Sequence, residues 1–148
     1  HAEGDVMTLP PRDSKEGIFS GGLGFDVIWQ GASISALTLL SFVIGNAFED
    51  GFGTTMAFVT MSMAEIVHSF NMRSREKSIF KLKTHNMLLW GTMAASFILT
   101  ALVIFVPFLR NAFSFMPINV WEYLLALIIG SLILPISELV KYLKAKNK

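Results

Sequence analysis

The chain has 148 residues, of which 53% are hydrophobic and 16% are charged, and its mean hydropathy is +0.56. Soluble domains carry about 25% charged residues, so this balance is typical of an integral membrane protein. The chain contains no cysteine, which excludes disulfides, cysteine-ligated metal sites and a thiol nucleophile within it. A net charge of +1 argues against a nucleic-acid partner, because binding to phosphates needs a concentrated basic surface.

The first 24 residues are polar and contain neither the apolar segment nor the cleavage site of a signal peptide. The sequence begins at His1 rather than at a methionine. We therefore expect it to be part of a longer polypeptide.

Four windows are long and apolar enough to cross a bilayer, which takes about 20 helical residues. They cover residues 27–48, 51–72, 87–109 and 120–140. The first and third windows contain no ionisable residue, the second contains Glu65 and His68, and the fourth has a glutamate near each end. Transmembrane strands would alternate in polarity, whereas these windows are continuously apolar. The sequence predicts an all-α membrane protein of four transmembrane helices.

The connections between the windows are short, so consecutive spans are expected to be antiparallel. Eleven Lys and Arg residues then fall on one side of the membrane and only Arg110 on the other. Positive residues are retained on the cytoplasmic side. We therefore predict that both termini are cytoplasmic, that residues 1–24 form a cytoplasmic loop, and that residues 25–148 form the four-helix bundle with a basic tail.

Glu65 is the carboxylate that lies deepest within a predicted span. A charge at the centre of a membrane helix costs at least about 2.5 kcal/mol, so such a residue is a functional candidate by default. Ser62, His68 and Ser69 share its helical face by spacing, which predicts that Glu65 faces the bundle interior among polar groups. A neutral glutamate that bonds to a neighbouring helix is the structural alternative. Calcium sites take 6 to 8 oxygens, so most ligands would have to come from elsewhere.

Other residues of the spans are read as structural. His68 and Asn71 are interpreted mainly as solvated residues at the end of a span. Gly31 and Ser35, beside Ala32 and Ala36, form a small-residue face that would allow close helix packing. Two prolines near the ends of spans predict helix kinks or ends, at Pro107 and Pro135.

The segment 5–20 carries the most specific motif of the chain. Met7 is followed by Pro10-Pro11-Arg12 and then by Lys15-Glu16, just before the first span. This arrangement resembles the cytoplasmic loop between the sixth and seventh transmembrane helices of P-type calcium-transporting ATPases.

The resemblance extends along the chain in the same order. Gly31 and Ser35 fall where that family has close-packing glycines in its seventh helix, and Met63-Ala64-Glu65 falls where the sarco/endoplasmic reticulum pump has a calcium-ligating glutamate. Residues 71–80 are similar to the loop between helices eight and nine of bacterial members. The end of the last helix also matches, at Pro135, Glu138 and Lys141.

This resemblance implies helices seven to ten of a bacterial plasma-membrane pump, with Glu65 as a candidate calcium ligand. Calcium would be the transported ion, and ATP and magnesium would act only in the parent, since the family's phosphorylation motif and nucleotide domain are absent from this chain. The implied partners are the lipid bilayer and the parent's remaining transmembrane helices and cytoplasmic domains. The Pro10-Pro11-Arg12 loop would contact the catalytic region.

Two alternatives stay open from the residues alone. Oxygen ligands suit several hard cations, so the parent could instead transport another cation, such as sodium and potassium or manganese. The chain could also be a free-standing four-helix membrane scaffold or a transporter subunit. The sequence upstream of His1 would distinguish these alternatives.

Overall fold

A computed structural model describes residues 23–71 and 87–146, all of them in helices or short connections. The helices are α1 (Leu23–Phe48), α2 (Phe52–Asn71), α3 (Met87–Phe105), α4 (Pro107–Ala112), α5 (Val120–Ser131) and α6 (Ile133–Lys146). No strand occurs in these ranges, which confirms the all-α prediction. The loop that contains Pro10-Pro11-Arg12 and the basic link between α2 and α3 lie outside the described residues.

Three helical stretches are long and apolar enough to cross a membrane: Gly24–Phe48, Met87–Phe105 and Val120–Lys144. The predicted span at residues 51–72 forms a helix of 20 residues, α2, but this helix is less apolar than the other three stretches. α2 packs against α1, α3, α5 and α6, and its polar residues lie both in these contacts, at Thr55, Thr60 and Asn71, and on its exposed side, at Glu65 and Ser69.

Prolines divide the last two predicted spans, as the sequence indicated. Pro107 starts α4 and forces Val106 into an extended conformation, with φ −84° and ψ 115°, which ends α3. Pro135 has no N–H to donate to the carbonyl of Ser131, and α5 ends at that serine. The Leu132 N–H turns to the carbonyl of Ile129 at 3.1 Å, so the tight turn between α5 and α6 lies within one apolar stretch.

The closest helix contact joins α1 to α2. A Cβ built on Gly45 would lie 2.7 Å from the Cα of Gly53, so neither position has room for a side chain. Asn46 Oδ1 accepts the N–H groups of Gly51 and Gly53, at 3.3 and 3.0 Å, which satisfies free donors at the start of α2. Gly51 has φ +92°, a left-handed conformation that the tight turn requires.

The small-residue face predicted on α1 does not pack among the described residues. Gly31, Ala32, Ser35 and Ala36 are all exposed, and a Cβ built on Gly31 meets nothing within 4 Å. The prediction of a close helix contact at this face is therefore wrong for this part of the chain. Other glycines make the close contacts: Gly45 of α1 and Gly130 of α5 lie on the sides of their helices that face α2, and Gly53 lies on the side of α2 that faces α1.

The core follows the length of α2. Near the α1–α2 turn it consists of buried residues from α2, α3, α5 and the preceding loop: Phe52, Met56, Val59, Ile104, Ile118, Tyr123 and Ala126. Further along, α2 packs against α1 and the α5–α6 junction through Leu37, Ala64, Val67, Ile129 and Ile133. α3 remains largely exposed, and in the described ranges it packs against α2 and the adjoining α4.

Candidate functional site

Glu65 lies in the second half of α2, thirteen residues after Phe52 and therefore about 20 Å along the helix axis. Its side chain is exposed, and no described residue forms a hydrogen bond or ion pair with it. The prediction that Glu65 faces the interior of this bundle is thus wrong for the described residues. The interior side of α2 is occupied by Thr60, Ala64 and Val67, which are buried against α1, α5 and α6.

Glu65 opens instead into a groove between α2 and α3 with a volume of about 340 Å³. Ser62 and Ser69 lie on the same side of the groove, one turn before and one turn after the carboxylate. His68, which the spacing placed on this face, is not part of the lining. The full lining is Ser62, Glu65, Ile66, Ser69, Thr92, Met93, Ser96 and Thr100.

The opposite wall of the groove carries hydroxyl groups of α3. Thr92 donates to the carbonyl of Leu89 at 2.9 Å, and Thr100 donates to the carbonyl of Ser96 at 3.0 Å. Each donor is satisfied within its own helix, so the lone pairs of both hydroxyl oxygens stay available as acceptors. Thr92, Ser96 and Thr100 were not among the candidate residues predicted from the sequence. Their i, i+4 spacing along an apolar helix was the signal that could have identified them.

The groove supplies only part of a metal site. The described residues contain no group of three His, Asp or Glu side chains that could hold a metal ion. Calcium takes 6 to 8 oxygen ligands at 2.3–2.6 Å. Glu65 and its neighbouring hydroxyls could contribute some of these oxygens, and the others would have to come from other parts of a larger protein.

A second polar cluster forms where α6 packs against the end of α2. Lys141 Nζ donates to Asn71 Oδ1 at 2.6 Å and to the Asn71 carbonyl at 3.3 Å, and it also contacts Glu138 at 3.4 Å. Asn71 is only 2% exposed, so its interpretation as a solvated residue is wrong. A cation at a helix C-terminus binds the free carbonyls and interacts favourably with the negative end of the helix dipole. The lysine thereby fixes α6 to α2.

A third cluster joins the start of α1 to the end of α6. Lys144 forms an ion pair with Asp26 and lies 5.0 Å from the centre of the Phe25 ring. Asp26 also accepts the indole N–H of Trp29 at 3.3 Å. The two ends of the described bundle are therefore held together on one side of the molecule.

Buried hydroxyls connect the central helices. Thr60 Oγ1 lies 2.7 Å from Ser41 Oγ of α1 and 3.1 Å from the Ala126 carbonyl oxygen of α5, and both hydroxyl residues are fully buried. Met116 precedes α5. The Thr55 hydroxyl accepts the Met116 N–H at 3.0 Å and donates to the Met116 carbonyl at 3.2 Å. Hydropathy along the sequence gave no signal for these bonds, because a serine or threonine in a span looks the same whether it is bonded to its own helix or to another.

Known proteins resemble this chain along almost all of its length. The profile of the family described as "Cation transporting ATPase, C-terminus" matches residues 1–143. Calcium-transporting ATPase 1 of Bacillus cereus is 32% identical over 95% of this chain and 18% of its own length. Calcium-transporting ATPase of Bacillus subtilis is 32% identical over 99% of this chain and 16% of its own length. Calcium-transporting ATPase 1 of Yarrowia lipolytica is 29% identical over 97% of this chain and 16% of its own length. The chain thus spans less than a fifth of the length of these relatives.

Proposed function

Because the chain belongs to the family of cation-transporting ATPase C-termini, we propose that it is the membrane support region of a P-type calcium pump, which braces the ion-transporting helices and contributes Glu65 to the ion pathway. The names of the relatives give calcium as the ion that those proteins transport. Calcium is then substrate rather than resident cofactor, and ATP with magnesium acts only in the parent. The partners of this region are the parent's other membrane helices, its cytoplasmic domains and the surrounding lipid.

The bracing role is supported by how rigidly α2 is held. On one side, α2 approaches α1 so closely that glycine is needed on both helices, at Gly45 and Gly53. On the other side, a Cβ on Gly130 of α5 would lie 2.6 Å from the Thr60 carbonyl. Buried hydrogen bonds then link α1, α2 and α5 through Thr60. Interiors packed this closely transmit force rather than absorb it, which suits a support for moving helices.

The proposed ion pathway is based on Glu65. It is a carboxylate exposed in the second half of a helix whose neighbours are apolar spans, and it has hydroxyls on both sides. An ionisable group at this depth is expensive, so it is retained where a pathway or a partner needs it. Its exposure also leaves it accessible to ligands from other helices.

The orientation and location are parts of the same proposal. Eleven of the twelve Lys and Arg residues fall on one side of the predicted bundle, which favours cytoplasmic termini in the plasma membrane of a bacterium. The loop with Pro10-Pro11-Arg12 would then face the catalytic region and couple it to helix movement. Its charges alternate in sign, which suits a contact with another protein domain.

The test is Glu65→Gln in the full-length parent pump, with calcium transport measured over a range of calcium concentrations. The amide keeps the size and hydrogen bonding of the side chain but removes its charge. A loss of ~2 to 3 kcal/mol of ion binding would weaken the apparent calcium affinity about 30- to 150-fold. Glu122→Gln is the matched control, because Glu122 accepts the Asn119 N–H at the start of α5 and lies outside the groove.

A Glu65→Gln curve that overlays the wild-type curve, in a protein that still folds, would remove Glu65 from the ion pathway. The region would then be a support alone. The same assay with manganese or sodium in place of calcium addresses the alternative of a pump for another cation, since oxygen ligands do not choose between hard cations.

A further inference from the structure

Two anchors hold α2 on either side of Glu65 along the helix. The first lies just before it, where a Cβ on Gly130 of α5 would lie 3.2 Å from the backbone nitrogen of Ala64, so α5 touches the backbone of α2 at this point. The second lies after it, where Lys141 of α6 binds Asn71, the last residue of α2. Glu65 therefore lies on a stretch of helix that is held at both ends.

The second anchor is an enclosed charge. The side chain of Lys141 is 12% exposed and Asn71 is 2% exposed. The ammonium donates to both oxygens of Asn71, to Oδ1 at 2.6 Å and to the backbone carbonyl at 3.3 Å, and it lies 3.4 Å from Glu138. Lysine is almost never buried unless it is paired. The contact thus joins α6 to the backbone of α2 as well as to a side chain.

Apolar packing alone leaves the end of α2 more freedom than this contact does. Between the two anchors, Val67 belongs to an apolar cluster with Leu37, Ile129 and Ile133. Hydrophobic attraction follows the buried area and has no direction, so a small rotation of α2 would keep most of it. A hydrogen bond weakens steeply when its angle falls. The bonds from Lys141 therefore restrict the rotation of the end of α2 in a way that the apolar cluster does not.

We infer that Lys141 is a positioning residue for Glu65: by fixing the end of α2 against α6, it sets the direction in which the carboxylate points. Asn71 follows Glu65 by six residues, or about 9 Å along the helix axis, so a rotation of the helix end turns the carboxylate with it. The inference rests on the proposed function, because it takes Glu65 as a residue that the ion meets. Lys141 acts through the helix, since an ammonium group has no acceptor to offer a cation.

The experiment measures calcium transport over a range of calcium concentrations in the full-length parent pump that carries Lys141→Met. Methionine keeps the apolar stem but cannot donate a hydrogen bond. Groups that orient a metal ligand through hydrogen bonds contribute about 10- to 100-fold to affinity, and Lys141 acts at longer range, so the apparent calcium affinity should fall about 3- to 10-fold. The maximal transport rate should stay near that of the wild type.

The direction of the shift separates positioning from charge. Removing a positive charge near a cation site would by itself strengthen cation binding, whereas a displaced carboxylate weakens it. Asn71→Ala provides a second variant, because it removes the Oδ1 acceptor and leaves the charge of Lys141 in place. It should weaken the apparent calcium affinity by a smaller factor than Lys141→Met, and it carries the test if Lys141→Met does not fold.

Lys144→Met is the matched control. Lys144 lies three residues later on the same helix, but it pairs with Asp26 of α1 rather than with α2. Its substitution should leave the calcium curve unchanged. Lys141→Arg keeps the charge and the donors, so it should retain most of the wild-type calcium affinity.

Three results would overturn the inference. The first is an unshifted or tighter calcium curve for Lys141→Met. The second is a lower maximal rate with unchanged calcium affinity, which a purely structural contact would give. The third is a shift of the same size for Lys144→Met, since the effect would then not depend on the contact with α2.

A double variant separates this inference from the proposed function. When Glu65→Gln has already removed the charge, Lys141→Met should add little, and a full additional shift would mean that Lys141 acts on other groups. A shifted Glu65→Gln curve beside an unshifted Lys141→Met curve would contradict only the positioning role. An unshifted Glu65→Gln curve would contradict the proposed function itself.

Discussion

The two sides of α2 use the same residue types in opposite ways. On the side that faces α1 and α5, Thr60 and Ser41 are fully buried and bond to each other across helices. On the side that faces α3, Ser69 and the α3 threonines bond within their own helices and line an open groove. A hydroxyl in a membrane helix thus stabilises the fold when its partner is on another helix, and it creates a polar surface when its partner is its own backbone.

The same contrast holds for glycine. Gly53 lies where a Cβ would be 2.5 Å from the Phe42 carbonyl oxygen, while a Cβ on Gly91 of α3 would meet nothing within 4 Å. The α1–α2–α5 side is closely packed, and the α2–α3 side is an open groove.

Gly53→Leu should have the largest effect on stability. The new side chain would have to separate α1 from α2 against backbone atoms, which costs about 3 kcal/mol or more. Gly91→Leu is the matched control on the open side, where leucine also has the better helix propensity. Thermal unfolding in detergent should show a large loss for Gly53→Leu and none for Gly91→Leu. Equal losses would mean that the two sides do not differ in packing.

Thr60→Val should have an intermediate effect. Valine has nearly the same shape but leaves the Ser41 hydroxyl and the Ala126 carbonyl without this partner, at a cost of about 1–3 kcal/mol. The same substitution at Thr100, whose hydroxyl bonds only to its own helix, should cost less than about 0.5 kcal/mol. If thermal unfolding showed similar losses for both variants, the buried hydroxyl link would not brace the three helices.

Lys144→Gln should have the smallest effect among these. Its ion pair with Asp26 joins α1 to α6, but the lysine side chain is 43% exposed, and exposed pairs contribute about 0.2–1 kcal/mol. Salt should weaken this contribution, so the difference between Lys144→Gln and wild type is expected to shrink as ionic strength rises. A loss of stability as large as that of Thr60→Val, unaffected by salt, would show that this contact contributes as much to packing as the buried hydroxyl link does.

Much of the fold could be predicted from the sequence because the bilayer imposes simple rules. The helices begin and end within a few residues of the predicted windows, and Pro107 and Pro135 divide the last two, because a proline cannot donate the bond that a helix needs. The family resemblance, carried by Pro10-Pro11-Arg12 and the order of the spans, is confirmed by relatives that match nearly the whole chain.

The sequence by itself thus determined that the chain is helical, which segments are apolar enough to cross a membrane, and that one carboxylate lies deep in the least apolar of the four predicted spans. These properties depend on each segment alone. Only the tertiary structure decided that Gly45, Gly53 and Gly130 rather than Gly31 pack closely, that Lys141 binds Asn71, and that Glu65 opens toward α3. The physical reason is that these contacts depend on how each helix is rotated and where it crosses its neighbours, and that is set by the packing of all helices together.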